Sequence, residues 1–561
     1  MRVTLAQLNP ILGDIEGNLG LISEAIDSAL SEGSELLVCP ELALTGYSPR
    51  DLLFFPDFRE RITLGISKLL ELSHRSDIYI LVGAPLWVPE KQQFTNSMLG
   101  FYKGDFCYVQ HKTLLPYYDI FDDQRYFCPS PNGASFWPIK GCHVGVLICE
   151  DAWAASEPNR YNEDPLADTM ALGIDLLVVV MASPYEMGKP EKRRQHFQDM
   201  ARHYACPVVM VNQVGGHDDL IFDGSSLVVT KEGQIQTSCA AFQVELRTVS
   251  VSVLSVEEGH ALSSPETFSG HELPLGVSLR ETGESLLPQM YAALVFSLQE
   301  YVRKTGFSHV VLGLSGGIDS ALTGAIAVDA LGADRVTGVA MPSRYSSPDS
   351  LADAVALAQG LGIALEVVAI EEIHHLYESV LPGVFAEGLA AENIQPRIRG
   401  NLLMGLANAQ NALLLSTGNK SEIAMGYCTL YGDMCGAICV LGDVYKTEVF
   451  SLANWRNREV PVIPQNTIDR PPSAELRPNQ TDQDTLPPYA TLDAILQGYL
   501  DNRMSKSDLE IAYGMATVSR VLSHFHRNEY KRRQAAIIPR IRKTAFGTGY
   551  RMPIVGIPSP K

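Results

Sequence analysis

The run Leu312-Gly313-Leu314-Ser315-Gly316-Gly317-Ile318-Asp319-Ser320 constrains the fold more than any other stretch of the chain. An apolar run, residues 309–314, leads into it, and an amphipathic segment, residues 320–331, leaves it. Strand, small-residue turn and helix in that order make a phosphate cradle. Gly316 and Gly317 let the backbone approach an anion, and the helix N-terminus aims free N–H groups and a positive partial charge at it. Downstream, strand-like runs at 336–341 and 364–370 flank a helical run at 351–361, an alternation that predicts a doubly wound parallel sheet. The loop lacks the Gly-Lys-Ser/Thr ending that kinase-type loops use to reach terminal phosphates, so γ-phosphoryl transfer is disfavoured.

At 561 residues the chain exceeds what one hydrophobic core usually serves. Before residue 256, short β-rich runs alternate with helical segments at 19–32 and 192–204, which predicts a separate layered α/β domain. Serine, proline, glycine and charge take over near 257–284. The expected organisation is a first domain over residues 1–258, a linker over 259–284 and a second domain over 285–561, with the phosphate loop at 313–320. Residues 461–489, rich in proline and polar side chains and without periodicity, read as a long functional loop.

A net charge of −20 argues against a nucleic-acid or membrane-surface binder, so anionic substrates need local cations such as Arg397, Arg399 and the 531–533 cluster. The longest apolar run, residues 176–182, is too short to span a bilayer, and residues 1–8 read as a strand rather than a signal peptide. A cytoplasmic location is expected. The ten cysteines form no Cys-x-x-Cys pair, which points to neither a zinc site nor a disulfide framework.

Three reactive side chains follow β runs in the first domain: Glu41, Lys112 and Cys149. They make a coherent set. Glu41 can take the thiol proton of Cys149, and Lys112 can stabilise the oxyanion formed when the sulfur attacks an amide carbonyl. In the second domain Asp319 and Glu422 offer two carboxylates to a triphosphate, a set that suits Mg²⁺. Lys446 and Lys531 can neutralise departing pyrophosphate.

The flanks of these residues carry resemblances. Pro40-Glu41-Leu42-Ala43-Leu44-Thr45-Gly46-Tyr47, Lys112-Thr113-Leu114-Leu115-Pro116-Tyr117 and Gly145-Val146-Leu147-Ile148-Cys149-Glu150-Asp151 each resemble a motif of the nitrilase superfamily, in family order. That resemblance implies an αββα sandwich with Glu41, Lys112 and Cys149 as the triad. Two positions depart from the pattern: Asp123 stands where many members carry a second glutamate, and Met181 replaces the asparagine of an Asn-Ala-Ser-Pro segment. Tyr118, Ser183 and Lys189 are the implied contacts for glutamine.

The Ser-Gly-Gly-Ile-Asp-Ser loop is similar to that of the ATP pyrophosphatases, an adenine nucleotide α-hydrolase-like group. Together with Ser416-Thr417-Gly418-Asn419-Lys420-Ser421-Glu422, Gly442-Asp443-Val444-Tyr445-Lys446-Thr447 and Pro472-Ser473-Ala474-Glu475-Leu476, it resembles the NAD synthetases. Joined to the nitrilase-like half, the whole chain resembles the glutamine-dependent branch of that family. The resemblance implies amidation of nicotinic acid adenine dinucleotide through an adenylate, with ammonia passed between two sites and AMP, pyrophosphate and glutamate as products. It places ATP contacts at Gly313, Leu314, Ser315, Gly316, Gly317, Ile318, Asp319, Ser320 and Thr417, and dinucleotide contacts at Asn393, Glu422 and Lys531. A homo-oligomer is also implied. The alternative is another glutamine-fed adenylating amide ligase of the ATP pyrophosphatase group.

Overall fold

A computed structural model describes residues 1–154, 160–253 and 283–555. Most of the expected linker, residues 259–282, lies outside the described residues. Contact density divides the chain into two units, Met1–Gly215 with Ile221–Arg280, and Gly216–Leu220 with Glu281–Lys561.

The first unit begins with strands β1 (Arg2–Gln7), β2 (Leu36–Val38), β3 (Tyr79–Val88), β4 (Gln93–Tyr102) and β5 (Asp105–His111). They are followed by β6 (Phe136–Ile139), β7 (Cys142–Ile148), β8 (Leu176–Met181), β9 (Val208–Asn212), the pair β10 (Val214–His217) and β11 (Leu220–Asp223), then β12 (Leu227–Val229), β13 (Ile235–Ser238) and β14 (Glu245–Ser250). Two six-stranded sheets result, in the orders β14-β1-β2-β3-β4-β5 and β13-β12-β9-β8-β7-β6. Val3, Leu5, Val38, Leu81 and Met98 from the first sheet share one buried cluster with Val144, Val146, Val178, Val180 and Met210 from the second, so the sheets pack face to face. Helices Ile15–Ser31 and Pro56–Ser73 pack against the first sheet, and Pro165–Met170 and Lys189–Tyr204 against the second. This is the αββα sandwich.

Helix Ile15–Ser31 starts before the apolar periodicity does. Asp14 caps it, its carboxylate accepting a hydrogen bond from the Gly17 N–H at 3.0 Å. Lys189–Tyr204 likewise begins three residues ahead of the sequence expectation, with a proline in its first turn where the missing N–H costs nothing.

In the second unit, β15 (Val310–Gly313), β16 (Val336–Ala340), β17 (Ala364–Val367), β18 (Leu413–Ser416) and β19 (Ile438–Cys439) form one sheet in the order β17-β16-β15-β18-β19. Every pairing in it is parallel. From β15 the chain winds outward to β16 and β17, then returns to the other side of β15 for β18. The order therefore reverses at β15, and the crevice beyond the carboxyl ends of β15 and β18 is where such sheets bind ligands. Residues 461–489 are more ordered than their composition suggests, containing the short helix Gln465–Asp469 and a 3₁₀ turn at Asp482–Asp484. No helix among the described residues is long and apolar enough to cross a membrane.

Candidate active sites

In the first unit, Cys149 stands immediately after β7, opening a tight turn with φ of +49°. A non-glycine residue in that region is strained, and such strain gathers where a side chain must be presented at a fixed angle. Asp151 braces the turn. Its carboxylate accepts from Leu114 N–H at 2.7 Å, Thr113 N–H at 3.0 Å and Ile148 N–H at 3.4 Å, which ties the Cys149 turn to the segment following Lys112. Burial outweighs those bonds and pushes the Asp151 carboxyl up to about 7.

Glu41 and Lys112 are both fully buried and ion-paired, Lys112 Nζ lying 2.8 Å from Glu41 Oε1. Asn96 Nδ2 donates to the same oxygen at 2.7 Å, and the Ala182 N–H donates to Oε2 at 2.9 Å. Lys112 also meets Asp123 Oδ2 at 2.9 Å, whose other oxygen accepts from the Tyr47 hydroxyl at 3.0 Å. Asp123 thus reaches the lysine despite its short side chain. Burial opposes the ammonium, but the Asp123 and Glu41 carboxylates outweigh it and hold Lys112 above its ordinary value. The Cys149 thiol is pushed well above its usual range by burial and by the Glu41 charge, with Lys112 and Lys189 pulling the other way.

The residues expected to hold glutamine are distributed around this cluster. Tyr118 donates its hydroxyl to Glu150 at 2.9 Å, and Tyr161 donates to the same carboxylate at 2.8 Å. Ser183 is buried, its N–H donating to Asn212 Oδ1 at 2.9 Å, and Lys189 opens its helix. Met181 sends its side chain into the core between the sheets while the next peptide reaches Glu41. An apolar residue therefore suits position 181. Sequence reasoning gave no role to Asn96, Tyr47 or Glu150, although Tyr47 and Glu150 stand within the motifs around Glu41 and Cys149.

In the second unit a cavity of about 320 Å³ opens at the switch point. Gly313 through Ser320 and Thr417 line it, as do Glu422, Lys446, Arg399 and the strap from Arg470 to Leu476. The loop needs Gly316: its φ is +79°, and a Cβ there would lie 2.3 Å from the Ser350 carbonyl oxygen. Ser315 and Ser320 hydroxyls close the loop on itself at 3.1 Å, and Ser320 also donates to the Gly317 carbonyl at 2.9 Å.

Lys446 lies between Asp319 and Glu422, bonded to Asp319 Oδ2 and to Glu422 Oε1 at 3.0 Å. Asn419 Nδ2 orients Asp319 through its other oxygen at 2.8 Å. Burial, with Asp319 adding to it, raises the Glu422 carboxyl above its ordinary value against the pull of Lys446. The Lys446 ammonium stays above its ordinary value because those two carboxylates outweigh burial. Arg399 donates to the Met341 carbonyl at 3.0 Å, and burial lowers it to about 10.

Two expected dinucleotide contacts stand apart from the cavity lining. Lys531 donates to the Gly426 and Cys428 carbonyls, each at 2.7 Å, and so closes the end of helix Lys420–Met425. Asn393 accepts from the Thr429 hydroxyl at 2.8 Å.

Two family models match the chain, a carbon-nitrogen hydrolase over residues 2–260 and an NAD synthase over residues 290–535. A glutamine-dependent NAD(+) synthetase of Synechocystis sp. is 42% identical, across 98% of this chain and 98% of its own length. The chain belongs to the glutamine-dependent NAD(+) synthetase family. Its Thermotoga maritima relative is 40% identical across 99% of this chain and 98% of that one. Among solved structures, a glutamine-dependent NAD+ synthetase from Acinetobacter baumannii in complex with adenosine diphosphate is 38% identical with a TM-score of 0.74, covering 99% of this chain and 98% of that one. One from Cytophaga hutchinsonii shares the fold at 20% identity, with a TM-score of 0.81 and coverage of 99% and 98%.

Proposed function

We infer that this chain is a ligase that forms NAD by amidating nicotinic acid adenine dinucleotide, with glutamine as nitrogen donor and ATP as co-substrate. One observation carries the reading: a buried Glu41–Lys112 ion pair beside a nucleophile-presenting turn, and a phosphate cavity holding Asp319, Glu422 and Lys446, in one chain of this family.

Residues 1–258 serve as the glutaminase. Tyr118, Ser183 and Lys189 hold glutamine. Burial raises the Cys149 thiol above its usual range; Glu41 takes its proton as the sulfur attacks the carboxamide carbon, and the Lys112 ammonium balances the oxyanion. Glu41 returns the proton to the leaving nitrogen; ammonia departs, a thioester remains, and water releases glutamate.

Residues 285–561 serve as the synthetase, with 259–284 as the linker. The 313–320 backbone and Thr417 hold ATP, while Asn393, Glu422 and Lys531 are kept as the proposed dinucleotide contacts. The nicotinate carboxylate attacks the α-phosphorus, pyrophosphate leaves against the Lys446 charge, and ammonia then displaces AMP from the adenylate. The donor set fits Mg²⁺, since Asp319 and Glu422 present hard carboxylate oxygens at a phosphate cavity and this ion draws the rest of its shell from phosphate and water. Bound there, the ion would neutralise phosphate charge. Passing ammonia internally delivers it unprotonated, whereas in neutral water it is mostly ammonium. The assembly is taken to be a cytoplasmic homo-oligomer.

The test is NAD formation from nicotinic acid adenine dinucleotide, ATP and Mg²⁺ by wild type and Cys149→Ala, with glutamine or ammonium chloride. The variant should lose glutamine-driven synthesis and keep the ammonium-driven reaction. Failure of wild type with both nitrogen sources would overturn the synthetase reading.

A further inference from the structure

Glu422 and Lys446 reach the cavity from segments 24 residues apart, and their own ion pair does not fix where the two backbones lie. That task falls to a residue outside the cavity. Asp493, on helix Tyr489–Leu500, is buried. Its Oδ1 accepts from the Ser421 hydroxyl at 2.5 Å, and its Oδ2 accepts from the Thr447 N–H at 2.9 Å. The Ser421 oxygen in turn accepts from the Lys446 N–H at 2.9 Å.

Three elements meet in these bonds. Ser421 directly precedes Glu422 in helix Lys420–Met425, and Lys446 and Thr447 open helix Lys446–Arg456. The first N–H groups of a helix have no partner within it. Here two of them are satisfied by Ser421 and Asp493, and the negative charge of Asp493 faces the positive end of that helix dipole.

We propose that Asp493 is a positioning residue for amide formation: its buried carboxylate ties Ser421 to the Lys446–Thr447 turn and so fixes the Glu422–Lys446 pair at the phosphates. This rests on the assignment of the cavity as the ATP site. Asparagine at 493 keeps the volume but removes the charge facing the helix end; with its oxygen on the Thr447 N–H, its NH₂ must donate to the Ser421 oxygen, which reverses that bond and leaves the Ser421 proton without its acceptor. The pair then shifts relative to the phosphate loop. Groups that stabilise charge in the transition state are sensitive to displacements of about 1 Å, at about a hundredfold in rate.

The experiment is ammonium-driven NAD synthesis by Asp493→Asn, Ser421→Ala and the double variant in the full chain, with thermal unfolding of each. In the single variants kcat should fall at least about tenfold while KM for ATP moves by less than about threefold, the pattern of an interaction realised in the transition state. The double variant should be no slower than the slower single, because both changes break one chain of bonds. Rescue is expected in Ser421→Thr, which keeps the hydroxyl. Unchanged kcat in Asp493→Asn or Ser421→Ala, or additive losses, would overturn the proposal. If Asp493→Asn does not fold, Ser421→Ala and Ser421→Thr decide it by the same readouts. Wild type lacking ammonium-driven synthesis is a separate result, which removes the cavity assignment instead.

Discussion

Burial raises the Cys149 thiol, and the Glu41 carboxylate, the proposed acceptor of its proton, is gripped by Asn96, Lys112 and the Ala182 N–H. The sign of the shift sets a pH dependence. A thiol raised above its ordinary value of 9.0 becomes thiolate only as pH climbs toward that raised value. Inactivation of glutamine hydrolysis by iodoacetamide should therefore rise about tenfold per pH unit from pH 7 to 9. A plateau below pH 8 would mean the resting thiol is already ionised. Glu41, Lys112 and Cys149 could be singled out as candidates because each follows a β run and carries a distinctive flank. Their supports could not, since Ala182 lies 141 residues from Glu41 and only the packed sheets bring them together.

Among the elements, the phosphate loop is the most sharply specified. A Cβ at Gly316 would meet both a positive φ and the Ser350 carbonyl, so Gly316→Ala should strain the loop by about 1–3 kcal/mol and weaken ATP binding by about tenfold to a hundredfold. Titration calorimetry with ATP measures this; unchanged affinity would remove the nucleotide from the loop. Alternation of strand and helix was readable in both halves, because a parallel sheet buries near-continuous apolar runs. The 461–489 segment was not. Its order comes from remote partners: Arg470 pairs with Asp353 across 117 residues, and the Leu476 carbonyl accepts from Gln395 at 2.9 Å. Such bonds leave no local periodicity.

For the whole molecule, two half-reactions share one intermediate that water would protonate. NAD synthesis from glutamine should persist when an ammonia-consuming system that makes no NAD, such as NADPH-dependent glutamate dehydrogenase with 2-oxoglutarate and NADPH, is added in excess, while ammonium-driven synthesis should collapse; equal loss of both would mean that nitrogen crosses through bulk solvent. Composition identified the acidic, multi-domain character, and the motifs identified the family, but neither showed how Lys446 is arranged. That lysine is a resident counter-ion. Two carboxylates at the mouth of a phosphate-type loop would by themselves repel an anion, and here both are paired with Lys446. If the cavity takes ATP with a metal, Asp319 and Glu422 would hold the ion and Lys446 would be released toward phosphate oxygens, so that binding would be an exchange of partners rather than a gathering of unpaired charge.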